Sequence, residues 1–128
     1  MTGHFNYKMI FVNINESQKA RLEEFFDEIK FYYYTVQKKV ESVWDAKTKH
    51  KNTMTWPGTD CVFILTVPER NLDKMLKHLK TFRMSLPQGI VMTAGVIPVE
   101  RIIIDFLNED IVPDEEMLAK LKKKHGVN

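Results

Sequence analysis

The chain has 128 residues, 44% hydrophobic and 28% charged, with a formal net charge of +2 and one cysteine, Cys61. That length sustains one core without covalent staples, and a lone cysteine excludes an intramolecular disulfide framework and CxxC-type zinc. No run approaches the roughly 18 apolar residues of a membrane span. The opening MTGHFNYK lacks a secretory pattern, so a cytoplasmic protein is expected.

The first six residues read as loose. Tyr7 then opens YKMIFVNI, a strand whose branched and aromatic content suits burial on both faces. Asn15 is a candidate helix cap, with Gln18 three positions on as in a capping box. Leu22, Phe25, Phe26 and Ile29 recur at helical spacing, predicting a helix over 16–30. FYYYTVQKKVESVW, residues 31–44, alternates at period two and predicts one long strand. The stretch 45–60 holds no period and contains Trp56-Pro57-Gly58, so it reads as an unusually long loop. Cys61–Val67 is a continuous apolar strand ended by Pro68. Leu72, Met75, Leu76 and Leu79 then stripe a second helix whose outer face is basic. Pro87-Gln88-Gly89 breaks the chain before a fourth strand, Ile90–Ile97. VERIIIDFL suits a short helix or an edge strand, and Pro113-Asp114-Glu115-Glu116 starts a last helix. Its acids come first and Lys120, Lys122, Lys123, Lys124 and His125 follow, which complements the helix dipole at both ends.

The order β-α-β-β-α-β predicts an α+β, ferredoxin-like sandwich: a four-stranded antiparallel sheet with two helices on one face, plus a C-terminal helical extension. One domain is expected over 1–128, with its core at about 7–105 and the extension at 106–128. Tyr7, Ile10, Phe11, Phe63 and Ile64 cannot all lie beneath two helices. A bare apolar sheet face implies self-association.

Within this order, Ile64–Lys80, a spacer ending at Gly89 and Val91–Asp105 resemble the nitrogen-regulatory PII superfamily. The clearest match is Val96-Ile97-Pro98-Val99-Glu100, similar to that family's strand-ending V-x-P-V-E/D. The resemblance implies a homotrimer with ligand clefts between subunits, residues 45–60 as the T-loop and 81–89 as the B-loop. It also implies a possible adenine nucleotide as ligand, and CutA-type relatives are associated with metals. The departures are specific. The family's phosphate-binding arginines correspond to Ile104 and Phe106, its glycine-rich B-loop element to Ser85-Leu86-Pro87-Gln88-Gly89, and its uridylylated tyrosine has no counterpart in 45–60.

Lys47, Lys49, His50 and Lys51 are placed to contact an anion, Trp56 to stack on a ring, and Gly58 completes the loop. A solvated connector is the alternative. Arg83, Gln88 and Gly89 line the neighbouring cleft by the resemblance; otherwise they form an ordinary turn in which Gly89 supplies a positive φ. Cys61 reads as a small core residue rather than a metal or redox thiol beside His50. His78 faces solvent, and the Tyr32–Tyr34 run fills core and interface rather than a base-stacking platform, so nucleic acid is not expected. No catalytic constellation appears. The expected function is a non-enzymatic PII-like sensor in which a small-molecule effector switches the 45–60 loop to control a protein partner. The alternatives are an interaction trimer with a decayed nucleotide site and a metal-responsive CutA-like protein.

Overall fold

A computed structural model describes residues 6–53 and 58–128. The expectations for the loose first residues and for Trp56-Pro57 therefore lie, but for Asn6, outside the described residues. The described residues divide into two compact units, one of residues 6–53 with 58–101 and one of residues 102–128.

In the larger unit, β1 (Tyr7–Asn15), β2 (Tyr34–Val40), β5 (Asp60–Pro68) and β6 (Met92–Val99) form one antiparallel sheet in the order β2-β5-β1-β6. Helices α1 (Lys19–Glu28) and α2 (Leu72–Met84) cover one face of it. The predicted βαββαβ fold is therefore present. Alternation decides which side chains are covered. Ile10, Val12 and Ile14 of β1 and Cys61, Phe63, Leu65 and Val67 of β5 lie in the core with Leu22, Phe26, Met75, Leu79 and Phe82 from the helices. Of the five apolar residues singled out as too many to hide, Ile10 and Phe63 are fully buried. Phe11, 38% exposed, pairs with Ile64 and with Gly95 on the uncovered face.

Phe26 seats α1 on the sheet. Its ring meets Phe63 edge-on at 5.8 Å, Tyr34 at 5.0 Å and Phe31 at 5.5 Å, contacts that add to the area buried. Of the three tyrosines, Tyr34 joins this cluster, whereas Tyr32 and Tyr33 are exposed.

Local chemistry corrects several predicted boundaries. Asn15 does cap the first turn, accepting from the Ser17 amide at 3.0 Å. Gln18 does not complete a capping box; its side chain is buried and bonds Ser17 and Arg21. The predicted strand 31–44 is broken. A left-handed Lys30 (φ 57°) ends α1, with Phe31 N–H reaching Phe26 O and Lys30 N–H reaching Asp27 O, the two bonds of a Schellman motif. Phe31–Tyr33 thus leave the helix before β2 begins. Lys39 (φ 59°) then forms a bulge, where its N–H donates to Glu16 Oε1 at 2.6 Å. The chain resumes as β3 (Ser42–Asp45), which pairs with β4 (Thr48–His50), so the predicted loop opens, over residues 45–50, as part of a hairpin. Its turn is closed by Asp45, which accepts from Lys47 N–H at 2.7 Å and from Thr48 Oγ1.

In the smaller unit, Ile102–Asp105 form neither helix nor strand, and a single turn of 3-10 helix follows at Phe106–Asn108. Helix α3 (Glu115–His125) starts at Asp114, whose carboxylate accepts from Met117 N–H at 3.0 Å, and ends at left-handed Gly126.

Lys30 carries an exposed side chain on a left-handed backbone that costs an L-residue about 1–2 kcal/mol. Lys30→Gly is expected to stabilise the fold by about 1 kcal/mol, read as a rise of several degrees in Tm by circular dichroism. An unchanged or lower Tm would contradict the strain assigned here.

Candidate functional site

The 41–59 excursion between β2 and β5 is held by a small set of polar side chains. Asp60, at the start of β5, is 1% exposed, and a carboxylate so buried requires donors. Two arrive, one from each hairpin strand. Trp44 Nε1 donates to Oδ2 at 3.1 Å, and His50 Nδ1 lies 2.7 Å from Oδ1. A carboxylate, when ionised, only accepts, so the Nδ1–H tautomer is the one in which His50 donates to it. Ser42, Trp44 and His50 therefore form the inner face of the hairpin, and Ser42 Oγ also meets Asn13 Nδ2 at 3.5 Å.

Glu16 fastens the excursion a second time. Besides Lys39 N–H, its Oε1 accepts from Thr59 Oγ1 at 3.1 Å, while Glu16 N–H donates to Thr59 O at 3.0 Å. The Lys39 amide holds the Glu16 carboxyl below its ordinary value against the opposing effect of desolvation, and Thr59 assists. Farther out, Asn52 N–H donates to Gly58 O at 2.9 Å and closes the tip. Gly58, at φ 86°, supplies the left-handed backbone that the sequence suggested for Gly89. Gly89 itself adopts no positive φ.

Alternation separates the candidate residues. His50 faces Asp60, while Lys49, its neighbour on β4, pairs with exposed Val43 on the opposite face. Lys47 lies on the hairpin turn and Lys51 just beyond β4, both exposed. Trp56 falls outside the described residues. Arg83 and Gln88 do meet: Arg83 Nη2 donates to Gln88 O at 2.8 Å and ties down the turn before Gly89. A cleft of about 450 Å³ lies elsewhere, between Arg21, Glu24, Phe25 and Glu28 of α1 and Phe82, Ser85 and Leu86, and contains none of the candidates.

The sequence reading missed Trp44 and Asp60. An acidic residue immediately before a wholly apolar strand was the available signal, because it must be buried with that strand. His78 is also corrected, being half-buried with its ring edge-on to Phe25 at 6.0 Å. Cys61 is a free thiol in the core, and burial pushes its pKa up to about 11. Among the described residues no group of three or more His, Cys, Asp or Glu could hold a metal ion. Cys61 is enclosed in the core, and His50 meets Asp60 through Nδ1.

Neither a scan against protein-family models nor a search of curated proteins finds a match. Solved structures do match. CPII from Thiomonas intermedia K12, determined with ADP and bicarbonate, aligns at a TM-score of 0.54 and 15% identity over 76% of this chain and 91% of its own. A functionally unknown protein from Pediococcus pentosaceus aligns at 0.56 and 12% identity, over 77% and 97%. A protein assigned to PII-like signalling, from Thermus thermophilus, aligns at 0.52 and 16% identity, over 74% and 88%. The chain has the PII-like fold. At such identities the likeness is one of fold, and within the PII-like fold the 41–59 excursion joins an edge strand, β2, to a central one, β5. No helix among the described residues is long and apolar enough to cross a membrane.

Two outcomes test this geometry. Asp60→Ala leaves a partly buried indole N–H and an imidazole without their acceptor, and is expected to cost about 1–3 kcal/mol in denaturant unfolding. Protection of the hairpin amides from exchange should fall with it; a hairpin as protected as in the parent would refute the anchor. For Cys61, the native thiol should not react with an aromatic disulfide reagent at pH 8, and should react once unfolded. Because its folded value of about 11 lies above the ordinary 9, the folded state holds this proton longer. The corresponding stability is complete below pH 9 and is lost as pH rises through about 11, and Cys61→Val should remove that dependence.

Proposed function

We propose that the chain is a non-enzymatic, cytoplasmic PII-like regulatory protein. In this reading it is a homotrimer joined through the bare sheet face, with residues 1–128 acting as one unit. A small anionic effector binds at the clefts between subunits and orders the outer part of the 45–60 segment, which then engages or releases a protein partner. The observation supporting this reading is the hairpin, anchored on its inner face by Asp60, with Lys47 on its turn, Lys49 on its outer face and Lys51 at its exit. Such a placement concentrates positive charge where the outer part of the segment begins. A switch there requires effector contacts made in one state and not the other.

The effector class follows from the charge and from a fold neighbour. CPII is known with ADP and bicarbonate, so these two anions are the first to try. The phosphate clamp expected of a PII family member does not fit this chain: Ile104 and Phe106 stand at its positions, and Arg83 is occupied by Gln88 O. Phosphates would instead meet Lys49 and Lys51, with Trp56 and Gly58 nearby in sequence, and Gln88 and Gly89 as further contacts. Loss of the clamp also favours a second reading, an interaction trimer that binds no effector.

A thermal-shift screen with adenine nucleotides, bicarbonate and divalent metals, with mass by light scattering in the same buffer, separates them. At an effector concentration about 100-fold above Kd the gain is about 2.7 kcal/mol, a Tm rise of several degrees. Lys49→Ala/Lys51→Ala should abolish that rise and leave the mass unchanged. Retained binding in this variant would displace the effector from the hairpin. A trimer silent to the whole panel would support the interaction reading, and a monomer would end both.

A further inference from the structure

Two donors from distant parts of the chain meet on one carboxylate oxygen at the root of the 41–59 excursion. Lys39 N–H, near the end of β2, donates to Glu16 Oε1 at 2.6 Å, and Thr59 Oγ1, just before β5, donates to the same atom at 3.1 Å. The first is short even for a bond to a charged acceptor. The β2–β5 register passes from Gln37 opposite Val62 to Val40 opposite Asp60, so the Lys39 amide has no place in the ladder. Lys39 also holds φ 59°, a left-handed backbone that L-residues seldom adopt, and strain of this kind points toward function. Charge favours the same spot. The Lys39 amide foremost, then the Thr59 hydroxyl and the ammonium groups of Lys38 and Lys39, favour the charged form of Glu16 against desolvation. Both lysines are exposed, and among the described residues neither makes an ion pair.

We infer that this root is a binding site for a small carboxylate, with the Glu16 side chain as its resident occupant. An amide N–H, a hydroxyl and two nearby ammonium groups call for a negatively charged oxygen that only accepts, whatever chain that oxygen belongs to. An amine or an ammonium ion would meet donors and positive charge there. Glu16 holds the place because its tether gives it an effective concentration that a dilute free ion does not match. A free carboxylate in its stead would keep Lys39 and Thr59 bridged while untying them from the turn at Glu16. The resident side chain thus sets the threshold at which the root of the excursion answers to anions. Lys49 and Lys51, the proposed effector contacts, take no part in it.

Chemical rescue is the test. Full-length Glu16→Ala empties the site, and hydrogen exchange at the Lys39 amide, followed by NMR, reads its occupancy. That exchange should be about tenfold faster than in the parent, as expected for loss of one hydrogen bond to a charged group. Sodium acetate or formate should slow it again, saturably, while sodium chloride at the same ionic strength should not. Adding Thr59→Val to Glu16→Ala removes the second donor and should abolish most of that recovery. If Glu16→Ala does not fold, Glu16→Gln takes its place: a neutral amide of the same reach should give way to acetate with the same signature at higher concentration. In the parent, Lys39 should stay protected with or without acetate. Exchange that neither carboxylate slows beyond chloride would overturn the proposal. An equal slowing in the parent would do the same, because it marks a general salt effect. Screening for the proposed effector uses the parent with Glu16 in place, so the two tests succeed or fail separately.

Discussion

Both helices sit on one face of a four-stranded sheet, and most of the molecule's behaviour follows from that asymmetry. The two central strands, β1 and β5, must be apolar on the covered side to build the core, where Ile10, Val12, Ile14, Phe63 and Leu65 are fully buried. They are nonetheless apolar on the other side as well, through Met9, Phe11, Val62 and Ile64. Burial on both faces is the composition of a parallel strand, yet these strands are antiparallel and only one face is occupied. The surplus hydrophobicity is therefore not used by the fold of the single chain. It leaves Phe11 in contact with water opposite Gly95, where no side chain screens it.

Against this apolar frame, the excursion is held almost wholly by carboxylates. Asp60 and Glu16 each gather donors from segments far apart in sequence, Asp60 from both hairpin strands and Glu16 from a bulge and from Thr59. Hydrogen bonds to charged acceptors are the stronger kind, but their loss is also abrupt, because removing one partner strands the other. A segment attached in this way is held at a few named atoms of Glu16 and Asp60.

The parts of the fold legible in the sequence were those written in period. The stripe Leu22-Phe25-Phe26-Ile29 and the run Cys61–Val67 each placed an element correctly, and their order gave the topology. What escaped was set by single side chains acting at a distance. Nothing in FYYYTVQKKVESVW marks Lys39 as a bulge, since the cause is Glu16, much earlier in the chain. Period also failed over 45–60, because a three-residue strand such as Thr48–His50 is too short to show one. Within the candidate site, His50 was visible as a chemical group but not as an anchor. Its role depends on Asp60, and only the folded register brings the two within 2.7 Å.

The C-terminal helix shows how one local rule can serve two ends. Acids at the start and lysines at the end are what the helix dipole favours in any isolated helix. Dipole matching alone, however, asks nothing of the apolar positions. A solvated helix stabilised only at its termini has no use for Met117, Leu118 and Leu121 along one side, nor for valines flanking both ends at matching distances from the centre.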